Sequence, residues 1–208
     1  MNSLTRYLLL FSLLLMTDFT LGAIVYHFFL PEQLVLESLS KKFTQSEIAT
    51  LLKHKEDHYV LLNLLKGIFK LFNIVVITSI LSIGILLNDF KVQWIRIINI
   101  VTIAQFVFFI PLLLKLGWFS FIKTDYTYAN FSDFSALSLY NLLDYAEEWQ
   151  RWPLKQLNIF EFLFWLILAI GLQKAYNIPL SNGMSIVVQS YGVSFFLWIT
   201  VIVFLSIM

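Results

Sequence analysis

The sequence predicts an all-α membrane protein, a polytopic bundle of five transmembrane helices with amphipathic helices in its two longer loops. Three observations indicate this fold class. Of the 208 residues, 59% are apolar and 13% are charged, and the charged fraction is about half that of an average soluble domain. The mean hydropathy is +0.80. The apolar residues also gather into runs of the length that a helix needs to cross a hydrocarbon core, about 20 residues.

These runs divide the chain into spans and polar connections within one membrane domain, residues 1–208. Residues 31–66 form a polar amphipathic region, and residues 117–157 form an aromatic interfacial loop. The five transmembrane spans are predicted at residues 4–30, 67–87, 94–116, 158–176 and 184–207.

The first apolar run begins like a secretory signal, because one basic residue, Arg6, precedes a leucine-rich stretch. The sequence Leu21-Gly22-Ala23 lacks the small residue expected three positions before a cleavage site. Hydrophobicity also continues to Phe29. We therefore expect this segment to be a true span rather than a signal that is removed.

A helix is predicted at the end of the first polar region. Thr44 and Glu47 have the S/T-x-x-E spacing of a capping box. After them, apolar residues recur on one helical stripe and charged residues fall elsewhere, which is the pattern of an amphipathic helix. We expect this helix to run from Thr44 to Lys66 and to continue directly into the second span.

Aromatic side chains stand at nearly every third or fourth position of the loop 117–157. Because amphipathic rings favour the level of the lipid headgroups, we expect this loop to fold back onto the membrane interface. Trp118, Trp149 and Trp152 are the candidates for that interfacial contact.

Prolines mark two irregular points of the predicted bundle. Pro111 lies inside the third span, where a missing N–H and a clash with the preceding turn predict a kink. Pro179 opens a second polar break, and we expect residues 179–183 to form the turn between the fourth and fifth spans.

Asp18 lies midway along the first span, where a charged side chain costs about 2.5–3.5 kcal/mol on insertion scales. We expect it to be neutral, or to face the bundle interior and find polar partners. The polar residues available in the second and third spans are Asn73, Thr78, Ser79, Asn99, Thr102 and Gln105. We favour an interhelical hydrogen bond that fixes packing, worth about 1 kcal/mol or less. The alternative is a proton- or ion-linked site within the bundle.

The sequence gives little indication of a metal or a cofactor, and we expect neither. It contains no cysteine, which excludes thiolate ligands. His54 and His58 are four residues apart, a spacing that can chelate Zn²⁺ on one helix face. Lys55, however, stands where an H-E-x-x-H motif has its glutamate. These histidines are therefore weak metal candidates.

The segment Glu147–Arg151, with the sequence EEWQR, is partly similar to the paired-glutamate motif of intramembrane prenyl-protein proteases. That family has three residues between its glutamates and its arginine, whereas here there are two. The family also uses histidines on later spans, and all histidines of this chain lie earlier. We therefore interpret the segment as an exposed acidic turn and expect no enzyme activity.

Two stretches in the second half of the chain carry a resemblance to a known family. They are Phe134–Leu139, with the sequence FSALSL, and Leu154–Phe162, with the sequence LKQLNIFEF, followed by Trp165 and Gly171-Leu172. They resemble bacterial members of the Yip-type five-span membrane proteins, whose eukaryotic members associate with Rab GTPases. The version most similar to them is found in Bacteroidetes-type bacteria, and the resemblance covers mainly Asn88 to Met208.

The resemblance implies five spans, a longer loop between the third and fourth of them, and a place in the bacterial inner membrane. It implies a packing or capping role for Glu161, which we expect near the interface beside Asn158 and Lys155. It supplies no catalytic residues. It also implies a cytoplasmic N-terminus, whereas counting Lys and Arg in the loops puts the N-terminus outside. The sequence leaves the orientation open.

We therefore expect a non-catalytic integral membrane protein, an accessory or organising subunit of a bacterial inner-membrane assembly. Its partners would be membrane lipid and other protein subunits, since a net charge of +1 gives no indication of nucleic acid. The alternative is a small transporter or lipid-handling protein that uses polar residues around Asp18. The intramembrane polar candidates are Asp18, Asn73, Asn99, Gln105 and Glu161.

Overall fold

The fold is a helical bundle of membrane-spanning dimensions. The computed structural model describes residues 3–40, 43–44, 46–48, 50, 58–143 and 147–207. It is 84% helical, and the residues that it describes include no β-strand. Within them, five helices are long and apolar enough to cross a membrane, namely Thr5–Phe29, Leu61–Leu87, Trp94–Phe121, Ile159–Tyr176 and Leu180–Ile207. We call them spans one to five. The predicted fold class is confirmed, and the architecture is that of a multi-pass membrane protein.

Several spans contain a turn that departs from α-helical geometry. Span one is α-helical over Ser3–Ile24 and ends in a π-helical turn, Val25–Phe29. The remaining α-helices of the spans are Tyr59–Leu87, Trp94–Ala104, Phe109–Phe121, Ile159–Tyr176, Leu180–Val187 and Val193–Ile207. A 3₁₀ turn, Gln105–Phe108, interrupts span three, and a π-helical turn, Val188–Gly192, interrupts span five.

Short helices lie in the two longer connections. Glu32–Ser40 follows span one, and Tyr128–Asp133, the 3₁₀ turn Leu139–Leu142 and Glu148–Gln156 connect spans three and four. The capping-box residues of the first polar region do meet, because the backbone N–H and the hydroxyl of Thr44 both donate to Glu47 at 2.8 Å. These bonds lower the pKa of Glu47. Residues 45, 49 and 51–57 of the predicted helix from Thr44 to Lys66 lie outside the described residues. The described residues 46–48, 50 and 59–66 are helical.

Spans two and three are longer than the sequence predicts. Span two begins at Leu61 rather than at residue 67, and span three continues to Phe121 rather than ending at 116. As predicted, the helix runs without a break from the polar region into span two, over Tyr59–Leu87. The predicted span two starts after the charged residue Lys66, and the predicted span three ends before Gly117. The long apolar stems of lysines instead allow them to lie within a helix while the ammonium group finds a polar neighbour.

The two prolines have different consequences. Because Pro111 has no N–H and its ring clashes with the carbonyl of Val107, the helix loses regular geometry one turn earlier, in Gln105–Phe108. The turn between spans four and five differs from the prediction. Asn177 takes the left-handed conformation at φ 52° and ends span four, and a new helix begins at Leu180 directly after Pro179. The predicted turn over residues 179–183 is therefore wrong.

Span three lies at the centre of the bundle. It packs against spans one, two and four, and span five closes the arrangement by packing against spans two and four. The fully buried side chains at the core of these contacts include Leu14, Ile74, Leu81, Ile97, Val101, Phe164, Leu168 and Leu172. Span one lies at the periphery, since 11% of its most apolar stretch is buried against 39% for span three.

Glycines allow the closest approaches between spans. A Cβ at Gly84 in span two would lie 2.7 Å from the side chain of Ser190 in span five. A Cβ at Gly183 would lie 2.7 Å from the carbonyl oxygen of Ala169 in span four. Small residues of this kind allow helix backbones in a membrane to come close enough for extensive van der Waals contact.

Rings from several segments form a cluster at the end of the bundle where the longer loops lie. Phe119 at the end of span three contacts the rings of Tyr126, Phe131 and Phe134 at centroid distances of 4.6, 5.1 and 5.4 Å. The Tyr126 hydroxyl donates to the carbonyl of Phe29 at 2.9 Å, and burial raises the pKa of this phenol. Part of the predicted interfacial loop is thus a small internal core.

The contact at Gly183 generates a stability prediction. Gly183→Ala forces a methyl group against a backbone carbonyl, and overpacking of this kind typically costs about 1–3 kcal/mol. We expect a lower thermal unfolding temperature in detergent micelles. Gly22→Ala is the control, because a Cβ at Gly22 meets nothing within 4 Å. Equal stability of the two variants would contradict the close packing of spans four and five.

Candidate functional site

An ion pair joins the middle of span one to the first half of span two. The Nζ atom of Lys70 lies 3.2 Å from Oδ1 of Asp18. Asp18 is 13 residues after Thr5 and 11 before Phe29, so its position along the helix axis corresponds to the interior of a bilayer. The same ammonium group lies 4.9 Å from the centroid of the Phe109 ring in span three, where the ring face attracts a cation.

A hydrogen bond between two amides continues the polar contacts by one helical turn. The Nε2 group of Gln105 in span three donates to Oδ1 of Asn73 in span two at 3.1 Å. Asn73 is three residues after Lys70, so the two side chains share a face of span two. We call Asp18, Lys70, Asn73 and Gln105 the polar cluster. It joins the three spans that meet on one side of the bundle.

The polar cluster extends from the bundle interior to its outer surface. Gln105 is 6% exposed and forms the buried end. The side chains of Lys70 and Asp18 are 20% and 41% exposed, and Asn73 is exposed. Hydrocarbon cannot hydrogen-bond to these outer groups, and an unsatisfied polar group there costs several kcal/mol. The exposed side of the polar cluster therefore favours contact with something other than lipid chains.

The partner of Asp18 differs from the expected ones. The sequence suggested a neutral or uncharged contact with residues such as Asn73 or Asn99, and the structure instead pairs Asp18 with Lys70. Lys70 was overlooked because it was counted with the charges near the end of a shorter second span. With span two beginning at Leu61, the two charges lie at similar distances from the span ends that the first polar region connects, 11 residues before Phe29 and nine after Leu61. The later start predicted for span two hid this correspondence.

Asn99, another intramembrane candidate, lies outside the polar cluster. Its Nδ2 group donates to the carbonyl of Ile95 one turn earlier at 2.7 Å. Its buried Oδ1 atom has no hydrogen-bond partner among the residues that the structure describes. The buried hydroxyl of Thr78 likewise has no hydrogen-bond partner among the described residues. Neither side chain reaches Asp18 in the structure.

Glu161 belongs to a second polar group, between spans four and five. The Asn158 side chain accepts from the backbone N–H of Glu161 at 3.0 Å and so caps span four. The Glu161 carboxylate is 6% exposed. Its Oε1 atom accepts from the Trp165 indole at 3.0 Å and from the Tyr191 hydroxyl at 2.9 Å. The expected neighbour Lys155 pairs instead with Asp133 at 3.1 Å.

Sequence reasoning missed Tyr191 because nothing in the hydropathy pattern indicates the π-helical turn Val188–Gly192 that contains it. Such turns interrupt α-helices rarely and often at functional positions. At the end of this turn, a Cβ on Gly192 would lie 3.0 Å from the Trp165 ring. Glycine at this position therefore allows the indole to come close while it donates to Glu161.

The three tryptophan candidates do not converge on one site. His54 lies outside the described residues, and the described part of the chain contains no group of three His, Cys, Asp or Glu placed to hold a metal. The Trp149 indole donates to Glu147 at 2.6 Å, and Trp152 is 38% exposed. Trp118 stacks on Phe134 with a centroid distance of 5.8 Å. These rings lie in or beside the aromatic loop.

Comparison with known proteins returns no match: no family model fits the chain, and no curated protein or solved structure matches it. The geometry of the polar cluster defines what it can bind. Asp18 and Lys70 neutralise each other, and Asn73 and Gln105 bond to each other. Their remaining donors and acceptors can bind one more polar group from outside the bundle.

The ion pair predicts a strong coupling between its members. Asp18→Asn or Lys70→Met alone leaves one charge unpaired inside the bilayer, whereas the double variant removes both charges. We expect a coupling within about 0.5–3 kcal/mol, measured from the free energies of unfolding in bicelles.

The matched control is Asp133 with Lys155, a pair of similar geometry outside the spans. Water screens such pairs to about 0–1 kcal/mol. Equal coupling in both pairs would contradict a membrane position for Asp18.

The two hydrogen bonds that the Glu161 carboxylate accepts predict how variants at this position rank in stability. Glu161→Gln keeps a side-chain oxygen that can accept from Trp165 and Tyr191, whereas Glu161→Leu leaves both donors unpaired at about 1–3 kcal/mol for each buried group. We expect the leucine variant to unfold at a markedly lower temperature. Adding Tyr191→Phe should recover part of its loss, since one unpaired donor is removed. Equal unfolding temperatures for the glutamine and leucine variants would contradict this account.

Proposed function

We propose that the chain is a non-catalytic integral membrane protein that acts as an accessory or organising subunit of a bacterial inner-membrane protein assembly. In this proposal, the polar cluster on spans one and two binds a transmembrane helix of another subunit. The observation that carries the proposal is the exposure of Asp18 and Asn73 on the outer surface of the bundle, at a depth where lipid chains offer no hydrogen bonds.

A neighbouring helix suits this surface better than lipid. Ser, Thr, Asn or Gln side chains on such a helix could bond to Asn73 and to the outward side of Asp18. Interhelical hydrogen bonds in membranes contribute modestly, about 0.6 kcal/mol on average. Most of the contact energy would therefore come from packing, and exposed apolar side chains beside the cluster are available for it. Phe69 and Phe72, 69% and 65% exposed, flank Asn73 on span two.

The arrangement of span one supports the same proposal. Span one packs mainly on span three and is largely exposed along the rest of its surface. Contact with span two includes the Asp18–Lys70 pair and the approach of Leu15 to Gly67. A peripheral helix held in this way leaves a surface between spans one and two that a partner helix can occupy. The proposed bacterial inner-membrane location follows the Yip-type resemblance.

A second candidate function is transport of a proton or small ion, favoured by the ionisable pair within the bundle. Ionisable residues inside spans mark ion pathways in many membrane proteins. In this structure the carboxylate is already paired with an ammonium group at 3.2 Å, and Asp18 does not line the groove at the end of span three or the cavity beside Phe43 and Glu47. The subunit role therefore ranks first.

Site-directed photo-crosslinking tests the subunit role. A photoreactive residue replaces Phe72 beside the polar cluster or, as a control, Leu197, which is 62% exposed on span five. In native membranes we expect one protein product of defined mass from position 72 and none from position 197. Asn73→Leu should reduce that product by about threefold or more, because one interhelical hydrogen bond is lost.

Two results would contradict the subunit role. One is a position 72 that yields only lipid adducts, and the other is a product that Asn73→Leu leaves unchanged. The same experiment separates the two candidate functions, because a transporter that works alone needs no protein neighbour at this surface.

A further inference from the structure

A large apolar groove lies at the end of span three, away from the polar cluster. Its volume is about 890 Å³, which is within the range of about 300–1,000 Å³ typical of small-molecule sites. One wall is formed by the last turns of span three and the other by the loop that follows. The residues that line the groove include Leu113, Gly117, Lys123, Asn130 and Leu137.

The position of the groove in the membrane restricts what can fill it. Its span-three wall runs from Leu113 to Ile122, a rise of about 14 Å along a helix axis. It therefore begins inside the hydrocarbon and ends where span three leaves the membrane after Phe121. Phe121 and Ile122 are 87% and 65% exposed. In a bilayer, lipid covers such a surface. The span-three wall of the groove is too short for a transmembrane helix of another protein to pack along it.

A cation lies at the outer end of the groove. Of the described residues that line it, Lys123 alone is charged. Lys123 is exposed, and its ammonium group forms no ion pair within the described part of the chain, although Asp125 is only two residues away. Asn130 also lines the groove. Its Oδ1 atom is already used by the Thr127 backbone and hydroxyl at 3.1 and 3.0 Å, whereas its amide nitrogen is not engaged in those bonds.

The loop wall contains a leucine in an unfavourable backbone conformation. Leu137 has φ 51°, the left-handed region in which a bulky side chain is strained. Its side chain is nevertheless 62% exposed and lines the groove. The loop on both sides of Leu137 is fixed to the start of span four, because Leu139 N–H donates to Leu157 and Ile159 N–H donates to Leu137. An acyl chain in the groove would cover this exposed leucine.

We propose that the groove binds an anionic phospholipid. One acyl chain lies along Leu113, Gly117 and Leu137, and the phosphate contacts the Lys123 ammonium group with the Asn130 amide nitrogen beside it. This assignment does not depend on the proposed subunit role, because it uses a different surface and a different ligand. The groove combines an apolar wall at acyl-chain depth with a cation at headgroup depth. These two features match the acyl chain and the phosphate of an anionic phospholipid.

The test uses the full chain, purified in mixed micelles that contain equal amounts of phosphatidylglycerol and phosphatidylcholine, with bound lipids counted by native mass spectrometry. Gly117→Leu fills the groove without a clash at its Cβ, since a Cβ there meets nothing within 4 Å. Gly22→Leu is the matched control on span one, where a Cβ also meets nothing. Lys123→Gln removes the cation, and Lys91→Gln removes an exposed lysine at the other end of the bundle.

We expect the wild-type chain to retain phosphatidylglycerol in preference to phosphatidylcholine by about fivefold, the effect of one lysine near an anionic headgroup. Gly117→Leu should lose the retained lipid while Gly22→Leu keeps it. Lys123→Gln should bind both lipids about equally while Lys91→Gln keeps the preference. Unfolding temperatures measured on the same samples confirm that each variant is folded.

Three outcomes overturn the proposal. The first is a wild-type chain that retains no lipid, which would show that phospholipid is not what the groove binds. The second is a folded Gly117→Leu variant that retains as much lipid as Gly22→Leu. The third is a full preference for phosphatidylglycerol in Lys123→Gln, which would remove Lys123 from the headgroup contact.

Discussion

The structure depends on one constraint: inside hydrocarbon, every polar group must find its partner within protein. Several hydroxyl groups in the spans meet it locally by donating to a carbonyl one turn earlier, as Ser82, Thr102 and Ser190 do. Among the described residues, the buried Thr78 hydroxyl and Asn99 Oδ1 atom are the exceptions. Larger polar groups meet it between spans, where Asp18 bonds to Lys70 and Glu161 accepts from Tyr191. The interhelical contacts of the bundle are thus determined partly by polar pairing and partly by close packing.

Two irregular turns, those in spans three and five, contain side chains that pair with polar groups of other spans. Regular α-helical hydrogen bonding is lost at both turns. Residues of the 3₁₀ turn Gln105–Phe108 and the π-helical turn Val188–Gly192 are buried against other spans. Both turns contain a side chain that a polar group elsewhere needs, Gln105 for Asn73 and Tyr191 for Glu161. These two departures from α-helical geometry therefore coincide with points where spans are joined by hydrogen bonds.

The sequence predicts the fold class well because length and hydropathy alone determine which segments can span a membrane. Asn158 can also be predicted from the sequence as the start of span four, because asparagine is a preferred helix cap. In the structure its side-chain oxygen accepts from the backbone N–H of Glu161. The pairing of Asp18 with Lys70 could not be predicted in the same way, because it depends on how distant spans align. The turn at Asn177 was misplaced because Gly183 is a stronger local turn signal, yet the absence of its side chain serves helix packing. Tyr191 depends on a π-helical turn that has no pattern in the sequence.

The π-helical turn in span five has a consequence for the two halves of that span. A π turn contains about one residue more than an α turn, and one residue corresponds to about 100° around a helix axis. The side chains of Val193–Ile207 are therefore rotated relative to the pattern that Leu180–Val187 begins. Losing a single residue within Val188–Gly192 would leave the contacts of the first half with span four intact. It would turn a different strip of the second half toward the bundle, so the length of this turn determines which side chains span five presents to its surroundings.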